Sequence, residues 1–154
     1  ETAPKGSDHA QLIDLVKAEN VADLELGDGS RVQISAEQLL AWNPDVIAVV
    51  GEPKASLSGH SAANAILNNP NLASLKAVQE GKVYGIPNAP FNWIDRPAGP
   101  NRIIGIRWLS GLLYPEYLNF DADDAVREFF SLFYHVDLTE EQLQQLYNGT
   151  IGTK

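Results

Sequence analysis

The chain has 154 residues, 44% of them hydrophobic, and its 20 acidic and 11 basic side chains give a net charge of −9. A chain of about 150 residues buries roughly two-thirds of its unfolded surface, which suits one domain with a hydrophobic core. The negative charge opposes binding to nucleic acid or anionic membranes. No apolar run approaches the roughly 20 residues that a bilayer crossing needs. The absence of Cys excludes disulfides, thiolate metal sites and Cys nucleophiles.

The first third of the chain predicts two helices and one buried strand. Ser7 is expected to cap a helix with apolar residues at helical spacing, ending near Asn20. The run Ser35-Ala36-Glu37-Gln38 matches a capping box and predicts the start of a second, short helix. Five consecutive apolar residues, 46–50, have the length and composition of a parallel strand that is covered on both faces.

The rest of the chain alternates predicted helices with one further strand. The predicted elements are helices over 60–68 and 71–79, a strand over 82–86, a strongly apolar helix over 103–113, and amphipathic helices starting at Asp121 and at the second capping box, Thr139 to Gln142. We expect the apolar helix to lie against the sheet.

This order of elements predicts a single three-layer αβα sandwich over 1–154 with a mostly parallel sheet. Two strands alone make a poor parallel sheet. We therefore expect one or more short strands within 21–34, or a strand that precedes Glu1. The chain has no Met, so we interpret it as a fragment or processed piece of a longer protein.

The segment that follows the second predicted strand brings together aromatic, amide and charged groups. Loops at the carboxyl ends of strands are where α/β sheets bind ligands. Trp93 supplies a flat face, Asn92 a donor and an acceptor, and Arg96 a charged fork. These groups suit a large, polar, ring-bearing ligand. The alternative is structural, with Trp93 as a half-buried loop anchor and Asp95 as an exposed partner of Arg96.

Motifs for nucleotides, metals and hydrolysis are missing from the sequence. Neither glycine-rich phosphate motif is present, and His9, His60 and His135 are too widely separated to match a metal-ligand spacing. Ser58 precedes His60 closely, but no nucleophile-elbow pattern surrounds the pair, so we interpret it as a helix cap. We expect no metal site, no catalytic residue and no cofactor.

Two charged residues each have two interpretations. Glu37, at the second position of its helix, is either a carboxylate that the helix dipole favours or a docking charge for a basic partner. Arg31 is either an ordinary exposed residue of a turn or a cationic contact at the same sheet edge as Arg96. The residues alone favour neither interpretation.

Four segments together resemble the C-terminal lobe of bacterial ABC-transporter substrate-binding proteins for iron chelates, haem or cobalamin. They follow one another in the family's order and cover nearly the whole chain: 32–47 (VQISAEQLLAWNPDVI), 75–84 (LKAVQEGKVY), 91–97 (FNWIDRP) and 108–116 with its Trp-Leu and Leu-Tyr-Pro-Glu. The family has two α/β lobes joined by one long helix, with the ligand between them, and this chain resembles one lobe. We therefore interpret the chain as one lobe, without the family's N-terminal lobe, linker helix and signal or lipid-anchor sequence.

The resemblance implies an extracytoplasmic binding protein, periplasmic or lipid-anchored at the cell surface, that delivers a metal chelate to a membrane permease. It implies ligand contacts at Arg31, Phe91, Asn92, Trp93 and Arg96. It also implies that Glu37 docks onto permease arginines. The rival classes are an α/β enzyme with Asp95 or Glu52 as general base, and a stand-alone interaction domain. The enzyme class lacks a credible nucleophile, metal or cofactor cradle.

Overall fold

The computed structural model describes residues 1–27, 29–51, 59–95, 98–118 and 121–148. For Gly59 and His60 the description covers the backbone alone. The described elements are, in chain order, α1 (Gln11–Leu15), α2 (Ala36–Trp42), β1 (Ile47–Val49), α3 (Gly59–Leu67), a 3-10 turn (Pro70–Leu72), α4 (Lys76–Gln79), β2 (Val83–Gly85), α5 (Asn101–Leu113), α6 (Ala122–Tyr134) and α7 (Glu140–Tyr147). The predicted mixed α/β class with a parallel sheet is confirmed.

The two strands pair in parallel, with Ile47 opposite Val83 and Val49 opposite Gly85. The register continues one residue further, since the amide of Ile86 donates to the carbonyl of Val49 at 2.9 Å. The carboxyl ends of both strands therefore meet at one edge of the sheet, as the sequence predicted. Of the loop after β1, residues 52–58 lie outside the described ranges.

The sheet differs from the prediction in size and cover. Within the described residues it has two strands, and the expected extra strand in 21–34 is reduced to an isolated antiparallel bridge between Thr2 and Val32. Helix α3 packs on both strands, over a small core of Ala63, Ala77 and Val83. Ala48, in the middle of β1, is exposed. The prediction that β1 is covered on both faces is therefore wrong for the described chain.

The larger core lies among the helices rather than on the sheet. It joins α1, the loop after β2, α5, α6 and α7. Helix α5 packs mainly against α1 and α6, which corrects the expectation that its apolar residues lie against the sheet. Gly105 allows α5 to approach the loop closely, because a Cβ there would lie 1.8 Å from the carbonyl oxygen of Trp93.

Two of the three predicted helix caps that fall on described residues are confirmed, and the predicted cap at Ser58 lies outside them. Ser35 accepts from the amide of Gln38 at the start of α2, and Thr139 with Gln142 forms a complete capping box at α7. Ser7 does not cap α1, which begins after Ala10 without a side-chain cap. The Ser7 hydroxyl instead donates to the carbonyl of Ser30 at 2.7 Å.

Candidate functional site

The loop after β2 folds around Trp93, which is fully buried at 0% exposure. Its indole N–H donates to the carbonyl of Ala89 at 3.2 Å, and its ring meets Tyr147 of α7 edge to face at 6.5 Å. This burial follows from the large apolar area of the ring, whose polar N–H finds a partner inside the loop. Trp93 is therefore a core anchor of the loop.

Asn92 has a structural role in the same loop. It is 4% exposed, and its side-chain oxygen accepts from the amides of Ile94 and Asp95 at 2.9 and 2.7 Å. Such a turn, closed by an asparagine side chain, fixes the direction of the chain that follows it. The Asn92 Nδ2 group is buried and has no hydrogen-bond partner within the described residues.

The structure places both Trp93 and Asn92 in the interior of this lobe. Trp93 belongs to the helical core, so the alternative interpretation of Trp93 as a loop anchor agrees with its position. Phe91 is 49% exposed and is the accessible side chain of the predicted group in this loop. Arg96 lies outside the described residues. Ligand contact by any of these residues stays a prediction.

Asp95, two residues after Trp93, lies at the centre of a charged cluster. Its carboxylate pairs with Nδ1 of His9 through one oxygen and with the guanidinium of Arg31 through the other. The side chains are 4% exposed for Asp95, 9% for His9 and 24% for Arg31. Asp95 is therefore a buried carboxylate that contacts an imidazole and a guanidinium, and not the exposed side chain that the sequence suggested.

Arg102, in the first turn of α5, holds this cluster in place. Its Nε and one terminal nitrogen donate to the carbonyl of Asp95 at 3.2 and 3.0 Å. The guanidinium also donates to the carbonyl of Asp8 at 3.0 Å and to the side chain of Gln11 at 3.0 Å. One planar fork thus joins the segment that carries His9 to the loop that carries Asp95.

Asn101, the neighbour of Arg102, fixes the other half of the loop. Its amide donates to the carbonyl of Phe91 at 2.9 Å, and its oxygen accepts from the hydroxyl of Tyr134 on α6. The first turn of α5 is therefore hydrogen-bonded to the loop at both Phe91 and Asp95. A loop held in this way is pre-organised, which lowers the entropy cost of binding.

A groove of about 890 Å³ opens beside the charged cluster. Its walls come from the N-terminal segment, the exposed side of β1 and the end of α5, and they include His9, Arg31 and Asp95. Of the sequence-predicted ligand contacts in the described residues, Arg31 alone lines this groove. The structure thus brings Arg31 together with Asp95, while Phe91 is not among the residues that line the groove.

His9 and Asp95 are the members of this cluster whose pairing the sequence analysis missed. The two residues lie 86 positions apart, and no local pattern around either predicts the contact. The signal that was available is a single polar run, Ser7-Asp8-His9, placed before an apolar helix. By itself it predicted only a helix cap.

Glu37 lies in the first turn of α2 and is fully exposed. Its pKa lies below the usual range because the carboxylate accepts from its own main-chain amide and from the Ser35 hydroxyl. Both interactions favour the charged form. The structure thus provides an accessible negative charge, which is compatible with either interpretation of this residue.

Within the described ranges, no group of three or more His, Asp or Glu side chains is placed to hold a metal ion. In the same ranges, none of the helices has the length and apolar character required to cross a bilayer.

The chain belongs to the periplasmic binding protein family. The family model described as "Periplasmic binding protein" matches residues 3–90, more than half of the sequence. The resemblance that the sequence segments indicated is confirmed at this level.

Relatives of known structure agree with this assignment. An ABC transporter solute-binding protein from Sulfurospirillum deleyianum superposes with a TM-score of 0.81 at 32% identity, covering 95% of this chain and 43% of that one. Molybdate-bound MolA of Haemophilus influenzae superposes at 0.69 and 27% identity, covering 90% and 40%. In sequence, the molybdate-binding protein MolA is 30% identical over 103 residues, or 66% of this chain and 27% of that protein. The chain therefore spans less than half the length of these relatives.

Proposed function

We propose that this chain is one lobe of the extracytoplasmic substrate-binding component of an ABC importer. The protein captures a metal-containing anionic solute and delivers it to a membrane permease, without catalysis. The observation that carries the proposal is the Arg31–Asp95–His9 cluster, which lines a groove in a fold of the periplasmic binding protein family. A guanidinium that is about a quarter exposed beside a groove suits the carboxylate or oxyanion groups of such solutes.

The ligand has two candidate classes. The sequence resemblance favours ferric siderophores, haem or cobalamin, which are chelates with polar or anionic rims. The second candidate is molybdate, because MolA, a relative of this chain at 30% identity, is named for binding it. The burial of Trp93 supports the smaller ligand, because this ring offers no flat surface to a macrocycle.

We further propose that Glu37 docks onto arginines of the permease. Its exposure and its stabilised negative charge support this role, since charged groups at a rim steer association and set partner orientation. Arg96 is proposed as a second cationic ligand contact, on the resemblance alone.

The proposal is tested by titrating the intact gene product, with both lobes, in separate experiments with ferric siderophore, haem, cobalamin, molybdate, a sugar and an amino acid. Fluorescence of the three tryptophans and calorimetry report binding. Binding of one metal-containing anion supports the proposal. Binding of the sugar or amino acid alone contradicts it, and turnover of any bound solute supports the enzyme class instead.

A further inference from the structure

We propose that His9 and Arg31 together contact an anionic group of the ligand, and that His9 takes up a proton when the anion binds. This inference rests on the proposed function and adds the charge of the substrate and a pH dependence of capture. His9 was outside the ligand contacts implied by the family resemblance. The structure assigns it to the site through its contact with Asp95 and its position on the groove.

The contact with Asp95 determines which ring nitrogen of His9 carries a proton. An ionised carboxylate only accepts hydrogen bonds, so Nδ1, which faces Asp95, is the donor. The second nitrogen, Nε2, has no hydrogen-bond partner among the described residues. A ring held through Nδ1 in this way has a fixed orientation and one nitrogen available for the ligand.

Asp95 carries a negative charge and Arg31 a positive charge on either side of the contact with His9. Protonation of His9 adds one positive charge beside the groove. An anion in the groove is attracted to the protonated form, and the field of the anion in turn favours the imidazolium.

Other charged groups around His9 do not replace this role. Arg102 donates to the carbonyl oxygens of Asp8 and Asp95, and the carboxylate of Asp8 accepts from Gln11. The remaining charged side chains that line the groove are Glu1, Lys17, Glu19, Asp45, Lys82 and Glu116. No hydrogen bond or ion pair joins any of these six to His9 in the described part of the chain.

The proton that His9 takes up on anion binding comes from the solvent. It is bound at Nε2, between the ring and the anion, and no other bond is made or broken. Binding therefore weakens as pH rises, by at most about tenfold for each pH unit, the limit for one linked proton.

The test is calorimetric titration of the intact protein with molybdate, and in parallel with ferric siderophore, at pH 6, 7 and 8. Each titration is run in two buffers of different ionisation enthalpy, so that the difference in heat counts the protons taken up. His9→Asn keeps an amide donor near the position of Nδ1, for Asp95, and removes Nε2. His135→Asn is the matched control, because His135 is an exposed histidine at the end of α6, away from the groove lining.

We expect proton uptake that rises with pH, up to one per anion, in the wild type and in His135→Asn. In His9→Asn we expect no uptake, affinity independent of pH, and about tenfold or greater weakening at pH 6. Binding without proton uptake, or with proton release, overturns this inference and leaves the proposed function standing. A panel in which none of the metal-containing solutes binds overturns both.

Discussion

Arg102 donates two hydrogen bonds to the main-chain carbonyl of Asp95, from Nε at 3.2 Å and from a terminal nitrogen at 3.0 Å. The same guanidinium reaches Asp8 and Gln11, so one side chain sets the distance between the two segments of the charged cluster. The geometry of the site therefore depends on a residue that has no direct part in the cluster itself.

We predict that Arg102→Gln lowers the free energy of unfolding by about 2 kcal/mol, because charge-assisted hydrogen bonds contribute about 1.5 to 3 kcal/mol. Urea unfolding measures this change. Arg107→Gln is the control on the same helix, since Arg107 is 54% exposed and lies 3.8 Å from Glu128. The control is expected to change stability by no more than about 0.5 kcal/mol. Equal losses in the two variants would contradict the role of Arg102.

Gly105 gives a second stability prediction. Alanine normally stabilises a helix relative to glycine by up to about 1 kcal/mol. Here the added Cβ would lie 1.8 Å from the Trp93 carbonyl oxygen, so Gly105→Ala should instead destabilise by about 3 kcal/mol or more. Gly27→Ala is the control, because its added Cβ has no atom within 4 Å among the described residues beyond its neighbours in the chain. A thermal melt of Gly105→Ala at or above the wild-type temperature would show that α5 does not contact the loop as described.

We predict that the burial of Tyr147 makes the protein less stable to unfolding at alkaline pH. Burial, and then the hydrogen bond to Asp123 at 2.9 Å, raise the pKa of Tyr147 well above its usual value. The unfolded chain ionises first, so the stability from this tyrosine is complete below about pH 10 and is lost as pH rises further. Tyr147→Phe should flatten this part of the stability profile, measured by urea unfolding at pH 8 to 11. Tyr117→Phe, at an 83% exposed position, should leave the profile unchanged, and an unaltered slope in Tyr147→Phe would refute the assignment.

Neutralising Glu37 distinguishes the helix-dipole interpretation of this residue from the docking proposal. Glu37→Gln removes the charge and keeps the size of the side chain. Under the docking proposal, transport by the protein with its permease in vesicles falls several-fold and the wild-type interaction weakens with added salt, while ligand affinity in solution is unchanged. The dipole interpretation predicts a slightly lower melting temperature and normal transport. Glu141→Gln is the matched control, because Glu141 is an exposed acid at the second position of α7 after its Thr139 cap, as Glu37 is after Ser35 in α2.

The parts of the fold that depend on neighbours in sequence were predictable. Ser35 and Thr139 cap their helices through residues three positions away, and the apolar runs gave both strands. The burial of Trp93 was missed because it depends on the packing of α5 and α7, which are distant in sequence. The Asp95 cluster was missed for the same reason, since its partners lie 64 and 86 positions away.

The central claim is that the groove beside Arg31 binds an anionic solute. The most direct test is the dissociation constant of the intact protein for the metal-containing anion that binds best, in wild type, Arg31→Lys and Arg31→Gln, with melting temperatures measured alongside. We predict at least tenfold weakening in Arg31→Gln and a smaller effect in Arg31→Lys, which keeps the charge and loses the fork. Unchanged affinity in Arg31→Gln, in a variant that remains folded, would contradict the claim.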